Sequence, residues 1–590
     1  MKKIIISILV FLFITVGFSF SFATMRGDSG TVDEIAHIPA GYTYLKYHDY
    51  RLNPEHPPLI KEIAALPLMF QSFNFDTSLR DYEELINGQW ESGWDFIYRQ
   101  GNDSEKILFW SRLPILLLYV IFALSFFIIV KKYYGRKVAL FSLFLLCFSP
   151  TITGHNHYVT TDLGAAFFIF LSIYFFLNFL KNPKGKSVIW AGVFLGLAQL
   201  AKFSAVLLFP LFIILLFLKV FSPNMITGEA KVNFRAKASA YIIGFILSCL
   251  ICYILVGVVY ALTMYAMPDD KIHQLIVGLF GEGDWKRSVL LSIYTIPVLK
   301  YYAQYFLGLF MVFGRVAGGN TTFMLGYVTN QSFFWYFPVA FLTKEMLGFL
   351  IMFTISLITV FRKTIHYWLK IKKDKFKSRL KILIKNFWKF FEKNLLQFTM
   401  LLFIFIYMLV TLKGNLNIGI RHLLPVIPMI YILTARGIIE WSKHDWFKIG
   451  IISILGLWII ASYVLVYPKY LSYFNELAGG TNNGYKILTD SNLDWGQDLK
   501  RLAKWVDEKN IKKIKLDYFG GSVPEYYLGN KYERWTSRLG PTKGWIAVSA
   551  TYLQNSRWYH LTLGEPDYNW LREKEPKAII GGSILVYYIE

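Results

Sequence analysis

The chain has 590 residues, of which 55% are hydrophobic and only 17% charged, where soluble domains carry roughly a quarter charged residues. Too little polar surface remains to cover a soluble globule of this size. The net charge of +23 would suit nucleic acid, but the basic residues alternate with apolar runs long enough to cross a bilayer, so the charge reads as membrane topology and no nucleic-acid partner is expected.

The first segment, MKKIIISILVFLFITVGFSFSFA, has the basic start of a signal peptide and a small residue at Ala23. Its apolar stretch is nearer the roughly 20 residues of a spanning helix than the roughly 7–15 of a signal core, which favours an uncleaved anchor. Apolar segments follow near 107–130, 138–150, 158–180, 188–201, 203–221, 239–264, 334–361, 396–412, 423–439 and 447–467, making eleven spans with the first. Counted from a cytoplasmic N-terminus, the inside loops are KKYYGRK, KNPKGK, 222–238, 362–395 and EWSKHDWFK, and these are the basic ones. Segment 362–394 sets twelve Lys and Arg against two acids, and Phe376, Leu380, Leu383, Phe387 and Phe391 recur at helical steps. That is the pattern of a helix lying on an anionic leaflet, either setting orientation or binding lipid.

The segments 25–106, 265–333 and 468–590 are expected outside. The last carries a helical stretch near 495–509, then the strand-like KIKLDYF and AIIGGSILVYYI. The expected architecture is therefore an α-helical polytopic membrane domain over 1–467, including the first extracytoplasmic loop, and a small extracytoplasmic α/β domain over 468–590. Cys147, Cys249 and Cys252 all fall inside apolar runs and read as packing residues.

Charges at the outer ends of spans are the candidates for chemistry. Asp33 and Glu34 follow the anchor, with His37 one turn on; such acids serve either as a general base or as partners of a helix N-terminus. In RLNPEHPPLIKEIAALPLMF two prolines fix an extended approach to a helix too short to span, holding Glu55 and His56 at headgroup depth. Asp162 opens the fourth span after His155, Asn156 and His157, where Thr160 and Thr161 also suit a helix cap. Lys202, at a turn between two apolar runs, is either a phosphate contact or a turn cap, and a charge at that depth needs a partner or water. Lys344 and Glu345 read as a structural pair shielded from lipid. Arg421 and His422 open the tenth span as a phosphate contact or a snorkelling anchor. Asp490, Asn492, Asp494, Trp495 and Gln497 read as a capped helix start that also offers contacts to an acceptor or carrier, without a catalytic role.

DEIAHIPAGYTYL followed by RLNPEHPPLIKEIAALP resembles the first periplasmic loop of the protein O-mannosyltransferase and aminoarabinose transferase superfamily, glycosyltransferase family 39. The resemblance extends through GHNHYVTTDLGAAFF, GLAQLAKFSA, YFPVAFLTKEMLG and GNLNIGIRHLLPVIP. It implies a GT-C fold, a polyprenyl-phosphate-linked sugar as donor and inversion at the anomeric carbon. Asp33 resembles the family's catalytic base, Asp162 its second acid and Arg421 a carrier-phosphate contact, with His422, Lys202 and His56 as further candidates for that phosphate.

A glutamate in the Glu55 setting belongs to a metal site in the aminoarabinose branch, so the resemblance makes Glu55 and His37 candidate ligands for a divalent metal. His155, His157 and His422 are further possible nitrogen donors. His56 stands where that branch has lysine, and an imidazole is mostly neutral near pH 7. The acceptor is left open among proteins, lipids and glycans bearing a hydroxyl or phosphate. A transporter or flippase of lipid-linked saccharides is the competing class, but no repeated halves are visible. A non-catalytic envelope scaffold is the third.

Overall fold

A computed structural model of the protein describes residues 3–223, 234–372 and 376–590. Among the described residues, eight helices are long and apolar enough to cross a membrane: Lys3–Gly27, Ser104–Cys147, Thr161–Lys181, Phe203–Val220, Phe234–Met264, Leu347–Ile371, Leu395–Lys413 and Trp446–Val466. The other expected spans have a structural counterpart too. Lys186–Ala201 is a shorter apolar helix, Ile427–Trp441 is a 15-residue helix in the place of the tenth expected span, and the 44-residue helix Ser104–Cys147 is two helices meeting at Gly135, where φ is 81°.

Gly17 of the anchor shows that the chain doubles back there. A Cβ on Gly17 would meet both the Tyr119 hydroxyl and the Cys147 carbonyl, atoms that a straight helix would hold about 42 Å apart. The anchor therefore packs against both arms of a hairpin, and only glycine allows that approach. The chain is an integral membrane protein, because helices of this length and composition have their backbone groups bonded internally and their side chains matched to lipid.

Two differences from the sequence reading concern where helices stop. The eighth apolar segment is broken into Tyr336–Lys344 and Leu347–Ile371, with Glu345 extended between them. The break is stabilised by Asn475, whose amide donates to the carbonyls of Leu342 and Glu345 at 2.7 and 2.8 Å. Segment 265–333, read as a loop, contains the helices Asp269–Leu279, Trp285–Tyr294 and Lys300–Gly318 and a hairpin of β1 (Thr322–Met324) and β2 (Tyr327–Thr329). The amphipathic helix of the basic segment is present as Phe376–Lys393. Residues 224–233 of the 222–238 loop, and Lys373, Asp374 and Lys375, lie outside the described residues.

In the first loop, the helix Val32–Lys46 crosses the short helix Leu59–Ala65 so closely that a Cβ on Gly41 would lie 2.2 Å from the Lys61 carbonyl oxygen. The buried Lys61 ammonium donates to Tyr44 Oη at 2.8 Å and to the Asn53 and His56 carbonyls at 2.9 and 2.8 Å. Those bonds compensate its desolvation and pin the turn carrying Glu55 and His56.

The C-terminal domain has a helix, Leu499–Glu508, and a five-stranded sheet ordered β4-β3-β5-β7-β6. Its strands are β3 Ile514–Asp517, β4 Tyr532–Arg534, β5 Gly544–Ser549, β6 Ala578–Ile580 and β7 Ile584–Ile589. β3 runs parallel to β4 and β5, while β7 is antiparallel to both its neighbours. The domain is fastened to the first loop by backbone bonds from Ser29 and Val32 to the Gln497 and Trp495 carbonyls, both 3.0 Å. Arg501 adds a bridge to Asp28 at 2.7 Å.

Candidate functional site

Four charges from four distant segments meet where the first loop, the membrane helices and the C-terminal segment converge. Asp33 lies in the first turn of Val32–Lys46, and Arg421 in the 3-10 turn Ile420–Leu423. Arg421 Nη1 donates to Asp33 Oδ2 at 2.5 Å and to Asp162 Oδ2 at 3.4 Å. The other oxygen of Asp162 takes Lys202. The result is a row, Lys202, Asp162, Arg421, Asp33, in which each buried charge has an opposite neighbour, as burial requires. Lys202 closes the helix Lys186–Ala201 in an extended conformation, so its partner is an acid across the site rather than a turn carbonyl alone.

Asp33 is the open end of the row, its side chain 19% exposed against 1% for Asp162. Burial opposes its ionisation, but the Arg421 guanidinium, helped by His37, holds its carboxyl below the usual carboxylate range. In this state Asp33 is ionised and engaged.

The C-terminal segment shapes Arg421. Its Nε donates to Ser491 Oγ at 3.0 Å, its guanidinium lies 4.2 Å from the centre of the Trp495 ring, and the preceding Ile420 N–H donates to Asn492 Oδ1 at 2.9 Å. Asp490 stands close by in the left-handed region, φ 58°. Burial raises its carboxyl to about 6, with Arg421 opposing the rise. A non-glycine residue in that region signals a constraint imposed by its surroundings.

Of the two readings open for these acids, Glu34 takes the helix N-terminus. It turns away from Asp33 and is sealed under Arg112, which donates Nε to Oε1 at 2.7 Å and Nη2 to Oε2 at 2.6 Å. The Thr31 and Val159 N–H groups also donate to it. Neither side chain is more than 1% exposed, so Glu34 is a structural acid that caps its helix. Burial works against its charge, and Arg112 nonetheless holds the carboxyl below the usual range.

His37 directs Nδ1 to the Val159 carbonyl at 2.8 Å, and its ring stands 5.0 Å from that of His56. Burial pushes His56 and His422 well below the ordinary histidine range, and nearby cations add to this. Both shifts favour the uncharged imidazole, in line with the neutral ring expected near pH 7, so these side chains offer hydrogen bonds rather than charge. His422 Nε2 is buried with no hydrogen-bond partner among the described residues.

The metal expectation does not fit these residues. Glu55 is taken by Arg315 at 3.2 Å, His157 pairs with Asp28 at 3.1 Å, and His155 sits beside Trp495. Among the described residues no three His, Cys, Asp or Glu converge as a metal site. Lys344 and Glu345 are buried as expected but do not pair: Lys344 donates to the Leu471 and Asn492 carbonyls, and Glu345 accepts from Tyr431 Oη at 2.7 Å.

Sequence reasoning missed Arg112, Arg315 and Ser491. The first lies inside an apolar helix and looks like an isolated charge, which itself signals a buried partner. Trp495 and Asp490 were read as part of a capped helix start offering contacts to an acceptor or carrier; their setting against Arg421 appears only in the structure.

Residues 105–228 match the family model described as dolichyl-phosphate-mannose-protein mannosyltransferase. Over this membrane segment the match agrees with the resemblance drawn from the motifs. A comparison with curated proteins gives no significant match. Among solved structures the chain aligns with an oligosaccharyltransferase from Archaeoglobus fulgidus in the apo form, at 12% identity over 98% of this chain and 73% of that one, TM-score 0.46. It also aligns with ArnT from Cupriavidus metallidurans bound to undecaprenyl phosphate, at 12% identity over 98% and 97%, TM-score 0.42. The protein O-mannosyltransferase Pmt1-Pmt2 complex of S. cerevisiae bound to the sugar donor aligns at 15% identity over 46% and 36%, TM-score 0.32.

Proposed function

We propose that this protein is a glycosyltransferase that moves a sugar from a polyprenyl-phosphate carrier to an acceptor hydroxyl at the outer membrane surface, with inversion at the anomeric carbon. The observation that supports the reading is the contact of Asp33 with Arg421, which sets a carboxylate with an exposed edge beside a buried guanidinium.

The acceptor oxygen attacks the anomeric carbon from the face opposite the carrier. The sugar–phosphate C–O bond breaks, its electron pair goes to the departing phosphate, and the hydroxyl proton passes to Asp33. Arg421 and Lys202 offset the charge on the phosphate, and Asp162 fixes the spacing between them. His56 and His422 are uncharged hydrogen-bonding groups in this scheme. A phosphate arriving at Arg421 competes with Asp33 for the guanidinium, so donor binding frees the base.

The N-terminus is cytoplasmic and the C-terminus extracytoplasmic in this reading. It is supported by the basic loops that alternate with the spans, and by the placement of Asp33 and Arg421 on one side. Divisions at 467 and 468 separate the membrane domain from the outer domain, and the acceptor is a protein, lipid or glycan.

The test is incubation of purified protein with candidate polyprenyl-phosphate sugars, following free carrier phosphate. Release by the native protein that Asp33→Asn abolishes supports the assignment. Equal release from both removes Asp33 as base, and no release with any donor removes the enzyme reading.

A further inference from the structure

A cavity of about 540 Å³ lies at the far end of the anchor from Asp33, between Lys3–Gly27 and the first arm of the hairpin. Val10, Ile14 and Phe127 line it as buried apolar groups. Its rim carries three cations from three stretches of chain, Lys3, Lys131 and Arg136. Among the described residues none of the three pairs with an acid, and Lys131 lies over the Phe127 ring at 5.7 Å. Gly135 makes this convergence possible: with its φ of 81° the helix reverses after Lys131 and returns Arg136 to the same rim.

We infer that this groove is a binding site for one anionic glycerophospholipid, its headgroup phosphate held by Lys3, Lys131 and Arg136 and an acyl chain lying along Val10 and Ile14. An apolar slot between spanning helices fills with hydrocarbon, and a basic mouth selects for an anionic headgroup. Snorkelling alone accounts for lysines at helix ends. It does not account for three cations that border one cavity without an acid partner among the described residues, while Lys132 next door donates to Tyr174 Oη at 3.0 Å. The site is separate from the proposed chemistry: the 25-residue anchor puts about 36 Å between its ends.

The test is native mass spectrometry of the purified full chain after exchange into mixed phosphatidylglycerol and phosphatidylcholine. The native protein retains one phosphatidylglycerol in preference to phosphatidylcholine. The double variant Lys131→Gln, Arg136→Gln loses that preference at least tenfold. Val10→Trp, which fills the slot and keeps the cations, loses it as well, so a loss does not depend on charge removal alone. Lys132→Gln removes one charge from the same loop and retains the native preference. Equal retention of the two lipids, an unaltered preference in the double variant, or selective retention of polyprenyl phosphate instead overturns the proposal. Thermal melting of each variant in detergent shows that it is folded.

Discussion

Two arginine–carboxylate pairs lie side by side in this molecule, built on consecutive residues, and they have opposite character. Glu34 and Arg112 are closed off, with every carboxylate oxygen bonded and side chains no more than 1% exposed. Asp33 and Arg421 share one contact at 2.5 Å, and Asp33 keeps an exposed edge. An ion pair that is buried and saturated holds elements together and is costly to break, whereas one with an open edge is available to exchange partners. The helix Val32–Lys46 seals Glu34 inward and leaves Asp33 with an exposed edge, so a one-residue step separates a closed pair from an open one.

The largest effect expected on that contrast comes from Asp33→Asn. Transfer falls by about 10²–10⁴-fold, the range for loss of a general base, while thermal melting stays near that of the native protein. The sealed pair answers in the opposite way. Arg112→Leu leaves Glu34 buried without its cation and lowers stability by about 3–5 kcal/mol, measured by melting, with activity tracking the folded fraction. Should Arg112→Leu melt normally and Asp33→Asn unfold the protein, the contrast is reversed.

Arg421→Lys keeps the charge and loses the planar fork that spans Asp33, Asp162 and Ser491. Donor KM rises about tenfold or more with little change in folding, a shift read from initial rates of carrier-phosphate release. Trp495→Leu removes the ring beneath the guanidinium, an interaction of about 0.5–2 kcal/mol, and raises donor KM by several-fold.

The smallest effect is a pH dependence at Asp490. Its folded carboxyl is raised to about 6 from the ordinary aspartate value of 3.8, so the folded state binds the extra proton between those values. Stability contributed by the protonated group is therefore present below about pH 4 and lost as pH rises to about 6. Melting of Asp490→Asn followed across that window is flatter than that of the native protein; identical slopes count against a buried acid there.

The membrane character, the helical content and the general course of the spans were legible in the sequence, because apolar runs and basic loops are local and the bilayer imposes their length. Asp33, Asp162, Lys202 and Arg421 were also legible as candidates, since charges at the ends of apolar segments stand out and their ordered motifs resemble one family. The place of Glu34 at a helix N-terminus fits the same local reading.

The tertiary structure decided which neighbour each charge has. Glu34 belongs to Arg112 because the anchor and the helix beginning at Ser104 close over it, 78 residues away in sequence. Lys344 and Glu345 look like a pair and are not, since a helix break gives each its own partners. Arg421 is held by Ser491 and Trp495. Glu55 and the histidines were drawn toward other groups rather than to one metal. Local sequence dictates where a helix can lie in a bilayer, but the partner of a buried charge is fixed only by packing among segments that are distant along the chain.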